Sequence, residues 1–147
     1  MKKIPFPQAN NLQLIYKIFC DIDSMGMNKF DIQSRYKLAE REGSYYLDAL
    51  YYLGFVDKIR IKYFLNHKGI LFNKLSDEDR KSEFINLIVH NDFLGDLYKC
   101  IILFDSNKEK KEYIAGRIAN KEKLGINTAQ RRASTIISWF IWIDKNK

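Results

Sequence analysis

The sequence has 147 residues, 46% of them hydrophobic, so it is long enough to bury a core as one domain or as two very small ones. Only two prolines and seven glycines interrupt it, which favours helices over a many-turned sheet sandwich. Lysine and arginine number 25 against 18 acidic residues, and the resulting charge of +7 suits a polyanionic partner, although lysine-rich compositions often only make a solvated surface.

Neither export nor membrane insertion is predicted. The residues Met1-Lys2-Lys3 look like the start of a signal peptide, but prolines and polar residues follow where the apolar segment should be. The longest apolar-rich run, residues 133–143, is too short to span a bilayer. Cys20 and Cys100 lie in apolar stretches typical of buried free thiols. We expect a cytoplasmic protein without a membrane partner.

The first half of the sequence predicts helices followed by a small hairpin. Asparagine and serine residues stand where helix caps are needed, and a glycine follows a run of leucines at helical spacing. In chain order the predicted elements are a helix capped by Asn10 or Asn11, a second over Lys29–Tyr36 capped by Asn28, a third over Tyr45–Leu53 capped by Ser44, and a hairpin of Phe55–Lys58 and Ile61–Leu65.

The second half of the sequence predicts helices without strands. Polar residues and Gly125 separate segments whose apolar residues recur at helical spacing. The predicted helices cover Ile70–Leu75, Asp77–His90, Phe93–Phe104, Lys108–Ala119 and Thr128–Ile143, the last of them capped by Asn127 or Thr128. The second half therefore repeats a three-helix plan and ends where a hairpin should begin. Either this part has no hairpin, or the chain is a piece of a longer protein.

Two segments of the first half resemble winged-helix proteins. The stretch Tyr45–Val56 looks like the recognition helix and first wing strand of that fold, in which the helix ends in Leu-Gly-aliphatic before the hairpin. Phe64-Leu65-Asn66-x-x-Gly69 is similar to the exit from the second wing strand into the next helix, with Asn66 in place of the usual threonine. The order of three helices and a basic hairpin is also that of a winged helix.

A segment of the last predicted helix resembles a recognition helix in the DNA-recognition regions of bacterial restriction endonucleases. The residues that carry the resemblance are Thr128–Thr135, followed by Ser138-Trp139-x-x-Trp142. Together these resemblances imply a mainly α fold of two winged-helix or helix-turn-helix units. The first unit, 1–75, has a small hairpin wing, and the second unit, 76–147, has little or no wing.

The resemblance also implies a function. In winged-helix proteins the third helix lies in the major groove of DNA and the wing lies on the backbone. We therefore expect a sequence-specific duplex DNA-binding protein, the DNA-recognition domain of a type II restriction endonuclease, whose nuclease is another domain or subunit. The alternatives are a winged-helix transcriptional regulator and a protein-interaction adaptor.

Two sets of residues are predicted to contact duplex DNA. Polar residues on the exposed faces of the recognition helices would contact bases, because arginine pairs with guanine and glutamine with adenine through two hydrogen bonds each. The predicted base contacts are Gln130, Arg131, Ser134, Thr135, Ser44, Tyr45 and Asp48. The predicted phosphate contacts, on helix ends, loops and the hairpin, are Arg41, Lys58, Arg60, Lys62, Lys121, Lys123, Thr128 and Arg132.

The start of the last helix is the most informative of these regions. The segment 108–132 holds eight basic and three acidic residues. An arginine pair at 131–132, in the first turn of the predicted helix, opposes the helix dipole, which indicates a function that outweighs the cost. The alternative is a solvated helix start next to a solvated lysine face. Trp139 and Trp142 are interpreted as core or interdomain anchors and not as base-stacking residues.

The residues of the first unit are also compatible with a protein partner. One tyrosine of each pair, 45–46 and 51–52, could pack in the core while the other only covers it. Exposed tyrosines beside an arginine would also suit a protein surface. Asp48 and Asp57, next to the first recognition helix, favour the adaptor alternative because they would repel phosphates.

No catalytic site, metal site or cofactor is predicted within this chain, and whether it belongs to an enzyme stays open. Asp105, Glu109 and Lys111 match the residue set of metal-dependent nucleases only superficially, because those carboxylates need to converge from adjacent strands. His67 and His90 have no cysteine or carboxylate neighbours at ligand spacing.

Overall fold

The computed structural model describes residues 4–147, which are mainly helical with one small antiparallel sheet of two strands. The mainly α class and the single hairpin predicted from the sequence are therefore confirmed. The elements in chain order are α1 (Leu12–Asp21), α2 (Lys29–Tyr36), α3 (Glu40–Tyr52), β1 (Val56–Ile59), β2 (Lys62–Leu65), α4 (His67–Asn73), α5 (Asp77–Val89), α6 (Asp92–Cys100), a 3-10 turn (Ile101–Leu103), α7 (Asn107–Glu122) and α8 (Ile126–Asn146).

The chain divides into two compact units. Unit 1 comprises the residues up to Ala9 together with Gln13–Phe84, and unit 2 comprises Asn10–Leu12 together with Ile85–Lys147. The division falls inside α5, further along the chain than the boundary expected after residue 75. Each unit has its own buried side chains and is described below by itself.

Aromatic rings form the centre of the unit 1 core. Phe19, Phe55 and Phe84 are fully buried. The ring centroids of Phe19 and Phe55 lie 4.5 Å apart, and those of Phe55 and Phe84 lie 5.4 Å apart in a stacked arrangement. Leu47 and Leu50 of α3 are equally buried. Burying one such side chain stabilises the fold by about 1.5–3 kcal/mol. The three rings therefore hold α1, the segment that follows α3, and α5 together.

Helix α3 begins at Glu40, so the predicted start at Tyr45 with Ser44 as the cap is wrong. The residue before the helix, Ala39, makes no side-chain cap hydrogen bond, and glutamates in the first turn compensate the helix dipole instead. The helix continues through Gly43, where a Cβ atom would lie only 2.5 Å from the carbonyl oxygen of Lys29. Gly43 therefore lets α3 pack closely on the start of α2.

The hairpin pairs Val56 with Leu65 and Ile59 with Lys62, so its two-residue loop is Arg60-Ile61, one residue later than predicted. A third backbone segment joins it. Met27, in the link between α1 and α2, forms an antiparallel bridge with Tyr63, with N–H···O distances of 2.9 and 2.8 Å. The hairpin is therefore tied to the backbone that precedes α2.

Unit 2 consists of helices and one 3-10 turn over its described residues. Helices α7 and α8 make the most extensive contact between two helices, and small residues on α8, Ala129 and Ala133, are fully buried there. Ile114 and Ile118 of α7 are fully buried as well. Further along α8, Trp139 is completely buried, as expected of a core anchor.

Helix α8 begins at Ile126, two residues before the predicted start. Gly125 occupies the cap position and offers no side chain, so the predicted capping by Asn127 or Thr128 is wrong. Thr128 is the third residue of the helix, and the arginine pair at 131–132 lies in its second turn. The three-residue link to α7 begins with Lys123, which adopts a left-handed conformation with φ of 57°.

No helix within residues 4–147 combines the length and the apolar character needed to cross a membrane.

Two glycine substitutions test the close approach of α3 to α2. Gly43→Ala should lower the free energy of unfolding by about 1–3 kcal/mol, because its Cβ atom would overlap the Lys29 carbonyl oxygen. Gly116→Ala is the matched control on α7, where a Cβ atom meets nothing within 4 Å, and it should raise the free energy of unfolding by about 0.5–1 kcal/mol. Urea denaturation followed by circular dichroism measures both. Changes of the same sign would contradict this packing.

Candidate functional site

Three elements of unit 1 enclose a basic cleft. The first residues of α2, the exposed side of α3 and the tip of the hairpin surround a volume of about 290 Å³. We call this the wing cleft. The residues that line it are Asn28, Lys29, Phe30, Ser44, Lys58, Arg60, Ile61 and Tyr63. Three of these side chains are cationic and none is acidic.

Asn28 caps α2, as predicted, and together with Asp31 it forms a complete capping box. Its Oδ1 atom accepts hydrogen bonds of 2.9 Å from the backbone N–H groups of Phe30 and Asp31. In return, Asp31 Oδ2 accepts a hydrogen bond of 2.9 Å from the backbone N–H of Asn28. This arrangement holds Lys29, the first residue of the helix, at the edge of the wing cleft.

The hairpin is attached to α3 through a buried tyrosine. The hydroxyl of Tyr63 donates a hydrogen bond of 2.5 Å to Asp48 Oδ1. Burial, together with the adjacent Asp48 carboxylate, raises the pKa of Tyr63, so this hydroxyl stays protonated and keeps donating. Asp48 thus has a structural role in unit 1. It is removed from the set of residues predicted to read bases.

The three cationic side chains of the wing cleft differ in the contacts that they already make. Lys58 lies with its Nζ atom 5.2 Å from the centroid of the Tyr63 ring. Lys29 Nζ is 3.0 Å from Glu40 Oε1, an exposed pair that is worth little and leaves Lys29 able to exchange partners. Arg60 makes no ion pair within residues 4–147. The cleft therefore carries positive charge that can meet an anion.

The tip of the hairpin holds an arginine in an unfavourable backbone conformation. Arg60 has φ of 58°, in the left-handed region that glycine and asparagine adopt more readily. Within residues 4–147, the other non-glycine residues with positive φ are Lys37 and Lys123. All three are basic, and two of them were predicted phosphate contacts. Three basic residues therefore occupy backbone positions that glycine or asparagine would adopt at lower cost.

A second set of polar residues meets in unit 2. Gln130 of α8 lines a small cavity of about 210 Å³ together with Lys108, Lys111 and Glu112 of α7. Gln130 and its neighbour Arg131 are exposed, and Arg131 Nη2 lies 3.5 Å from Thr128 Oγ1. The first turn of α7 thus adds lysines next to a predicted base contact.

Thr135 does not lie on the exposed face of α8, contrary to the prediction that it contacts bases. The residue is 2% exposed. Its hydroxyl lies 2.6 Å from Asn10 Oδ1 and 3.3 Å from the carbonyl oxygen of Arg131. It therefore serves the interior of unit 2. Ser134 is half-buried, and its hydroxyl donates to the carbonyl oxygen of Gln130 at 3.2 Å.

The structure brings together some of the predicted residues and leaves others apart. Ser44, Lys58 and Arg60 share the wing cleft. Arg41 is exposed and Tyr45 half-buried on α3, and neither lines that cleft. Two of the other predicted phosphate contacts are engaged: Lys62 Nζ donates to the Met25 carbonyl oxygen at 3.1 Å, and Lys121 Nζ lies 5.0 Å from the Phe93 ring centroid. Lys123 is exposed, and Arg132 is half-buried.

Sequence reasoning missed the contribution of α2. Lys29 and Phe30 both line the wing cleft, and Phe30 is 52% exposed although it is an aromatic residue in an amphipathic helix. The adjacent lysine and phenylalanine were the available signal. Because their role depends on where the hairpin packs, spacing along α2 does not reveal it.

Two other features of the basic segment and its surroundings bear on chemistry. Arg117, part of the basic run of α7, donates from Nη2 to Asp96 Oδ2 at 2.8 Å, and this hydrogen bond raises the pKa of Arg117. Its charge is therefore already compensated. Within residues 4–147 no group of three or more histidine, cysteine or acidic side chains is arranged to hold a metal ion.

Comparison with known proteins gives a family. A family described as a domain of unknown function, DUF7226, matches residues 15–147, which is most of the chain. The chain therefore belongs to the DUF7226 family. No curated protein and no solved structure matches it significantly. The family description assigns no activity, so a function has to be argued from the geometry of the sites.

Replacing the arginine at the hairpin tip tests its backbone strain. Arg60→Gly should raise the free energy of unfolding by about 0.5–1 kcal/mol, because glycine adopts a positive φ without steric cost. Lys37→Gly is matched to it in φ and in charge and should behave similarly, since Lys37 lies in the left-handed position after α2. Thermal unfolding of both variants measures this. A loss of stability in Arg60→Gly alone would contradict the assigned conformation.

A pair of threonine substitutions tests the corrected position of Thr135. Thr135→Val should lower the free energy of unfolding by about 1 kcal/mol, because the hydrogen bond that the buried Thr135 hydroxyl donates to Asn10 Oδ1 is lost. Thr128→Val, in the first turn of the same helix, should change it by less than about 0.5 kcal/mol. Equal effects in urea denaturation would mean that Thr135 is not buried.

Proposed function

We propose that this chain binds duplex DNA, and that unit 1 does so as a winged helix. The observation that carries the proposal is the wing cleft, where α3 and the hairpin tip converge with three cationic side chains and no acidic one. Positive side chains beside a helix that can enter a groove match the needs of a polyanionic duplex.

The order and pairing of elements in unit 1 support a winged-helix arrangement. Three helices precede the hairpin, and Met27, between α1 and α2, pairs with Tyr63 of β2. This bridge supplies a short third strand position next to the two-stranded wing. The hydrogen bond from Tyr63 to Asp48 keeps the hairpin beside α3, the helix proposed to enter the major groove.

Each cation of the wing cleft has a proposed role. Lys58 and Arg60 on the hairpin, and Lys29 at the start of α2, contact phosphates on the backbone that flanks the groove. Ser44, on the side of α3 that faces the cleft, contacts a base edge. Phosphate contacts made by these groups release counterions, so affinity falls steeply as salt rises.

In this proposal unit 2 recognises the base sequence of the DNA. Gln130 and Arg131, both exposed, contact base edges, while Lys108 and Lys111 beside them hold phosphates. The lysines at 121 and 123 are proposed phosphate contacts as well. The resemblance of Thr128–Thr135 to restriction endonuclease recognition helices supports a role as the DNA-recognition part of a type II restriction endonuclease, with the nuclease on another domain or subunit.

A protein-interaction adaptor is the second candidate, and one observation favours it. Four apolar side chains near the hairpin tip and the start of α2 are more than half exposed: Met25, Phe30, Ile59 and Ile61. Exposed apolar groups of this size often mark a protein contact. An adaptor would bind a partner through these residues and would show no affinity for DNA.

The matched glycine variants separate the two candidates. A short, fluorescently labelled duplex of random sequence is titrated with the full chain at low and moderate salt, and anisotropy reports binding. Arg60→Gly should weaken binding roughly tenfold at low salt. It should also reduce the magnitude of the negative slope of log affinity against log salt by about one. Lys37→Gly removes the same charge outside the cleft and should change affinity less than about twofold.

Because both variants are expected to fold at least as stably as the parent, a loss of binding cannot be attributed to unfolding. Equal weakening by the two variants would indicate that only net charge matters and would refute the wing cleft as the contact surface. If the parent chain does not bind the duplex even at low salt, the DNA proposal is wrong and the adaptor is favoured.

A further inference from the structure

The lining of the wing cleft combines cations with exposed apolar side chains. Phe30, at the start of α2, is 52% exposed, and Ile61, in the loop of the hairpin, is 67% exposed. Both line the cleft together with Lys29, Lys58 and Arg60. Contacts to phosphates use the cations alone. The two apolar side chains therefore indicate a ligand that has an apolar part as well as negative charge.

The size of the wing cleft limits what can enter it. Its volume of about 290 Å³ lies at the lower end of the range for small-molecule sites. A DNA duplex admits a protruding helix or ribbon into its major groove, but the duplex itself is too wide to enter so small a concavity. An unpaired base can enter it, because the base is flat and separate from the partner strand. The volume therefore suits a single nucleotide and not a base pair.

The lining leaves positive charge for the phosphates of such a nucleotide. Three carboxylates that contact lining residues each have a donor already: Glu40 with Lys29 Nζ at 3.0 Å, Asp48 with the Tyr63 hydroxyl at 2.5 Å, and Asp31 with the Asn28 backbone N–H at 2.9 Å. Lys58 and Arg60 make no ion pair within residues 4–147. The hairpin side of the cleft therefore carries two cations without a carboxylate partner.

The ring of Phe30 offers a surface on which a base can stack. Lys29 Nζ lies over this ring, 5.2 Å from its centroid. Because more than half of Phe30 is exposed, the ring also has area left for a flat base. Any of the four bases can stack on an aromatic side chain, since each has a π face. A base stacked there places its own phosphate close to a cation.

We propose that the wing cleft binds one unpaired nucleotide of a DNA strand, with its base stacked on Phe30 and packed against Ile61. The phosphates on its two sides are held by Lys29 of α2 and by Lys58 and Arg60 of the hairpin. Cations on two different elements match a strand, which has a phosphate on each side of every nucleotide, better than a free mononucleotide. This inference rests on the proposed function and adds to it a preference for DNA with an unpaired base beside a duplex.

Fluorescence anisotropy with three end-labelled duplexes of one sequence tests this preference. The first is blunt, the second carries a single unpaired deoxyadenosine nucleotide at one strand end, and the third carries an abasic nucleotide there. The full chain at low salt should bind the second duplex about tenfold more tightly than the first, because stacking of the base on Phe30 is added. The third duplex should bind within about twofold of the first, since it adds a phosphate without a base.

Substitutions of Phe30 separate stacking from other effects on this ratio of affinities. Phe30→Leu keeps an apolar side chain without a flat face and should bring the ratio close to one. Phe30→Trp keeps an aromatic face and should retain the preference for the unpaired base. Ile59→Ala is the control and should also retain it, because Ile59 is 61% exposed on the hairpin but lies outside the lining of the cleft.

The possible outcomes distinguish this inference from the proposed function. Equal binding of the blunt and overhang duplexes by the parent would refute the inference and leave duplex binding intact, whereas binding of neither would refute both. A preference that persists in Phe30→Leu, or that is lost in Phe30→Trp or Ile59→Ala, would contradict stacking in the wing cleft. Free deoxyadenosine monophosphate should not displace the overhang duplex at comparable concentration. Displacement would mean that the cleft takes a free nucleotide and would overturn the assignment to a DNA strand.

Discussion

The attachment of the hairpin to the rest of unit 1 is the constraint on which the candidate site depends. Tyr63 makes two kinds of contact at once: its hydroxyl donates to Asp48 on α3, and its backbone pairs with Met27 before α2. These contacts tie the hairpin both to α3 and to the segment that precedes α2. Because a two-stranded ribbon is only marginally stable by itself, the position of Lys58 and Arg60 follows from this anchoring and not from the strands alone.

The placement of basic residues at left-handed backbone positions shows how charge and fold compete. Arg60 lies in the loop of the hairpin and Lys123 directly follows the last residue of α7, positions where glycine would fit the backbone at lower cost. The cost is of the order of 1 kcal/mol at each position, small against the stability of a domain. In the proposed function the charges of Arg60 and Lys123 meet phosphates, and Lys37, which has the same φ outside the wing cleft, is the internal comparison.

Much of the fold could be predicted from the sequence, because caps and apolar spacing act locally. The bounds of α2 and its cap, Asn28, were predicted correctly. The start of α3 was not, since Ser44 is a good cap by itself but Gly43 is needed inside the helix for contact with α2. The same limit applies to the site. The position of Lys58 and Arg60 on the hairpin could be predicted from its pattern, whereas the position of Lys29 beside the cleft and the burial of Thr135 depend on tertiary packing that spacing does not encode.

A titration of the isotopically labelled chain with a short DNA duplex, followed by NMR, tests directly whether α3 and the hairpin together face the duplex. We expect the backbone amide signals of Lys29, Ser44 and Arg60 to shift together along one binding curve and to return when salt is raised. Saturating duplex that leaves all three signals in place, or that shifts only signals outside unit 1, would contradict it.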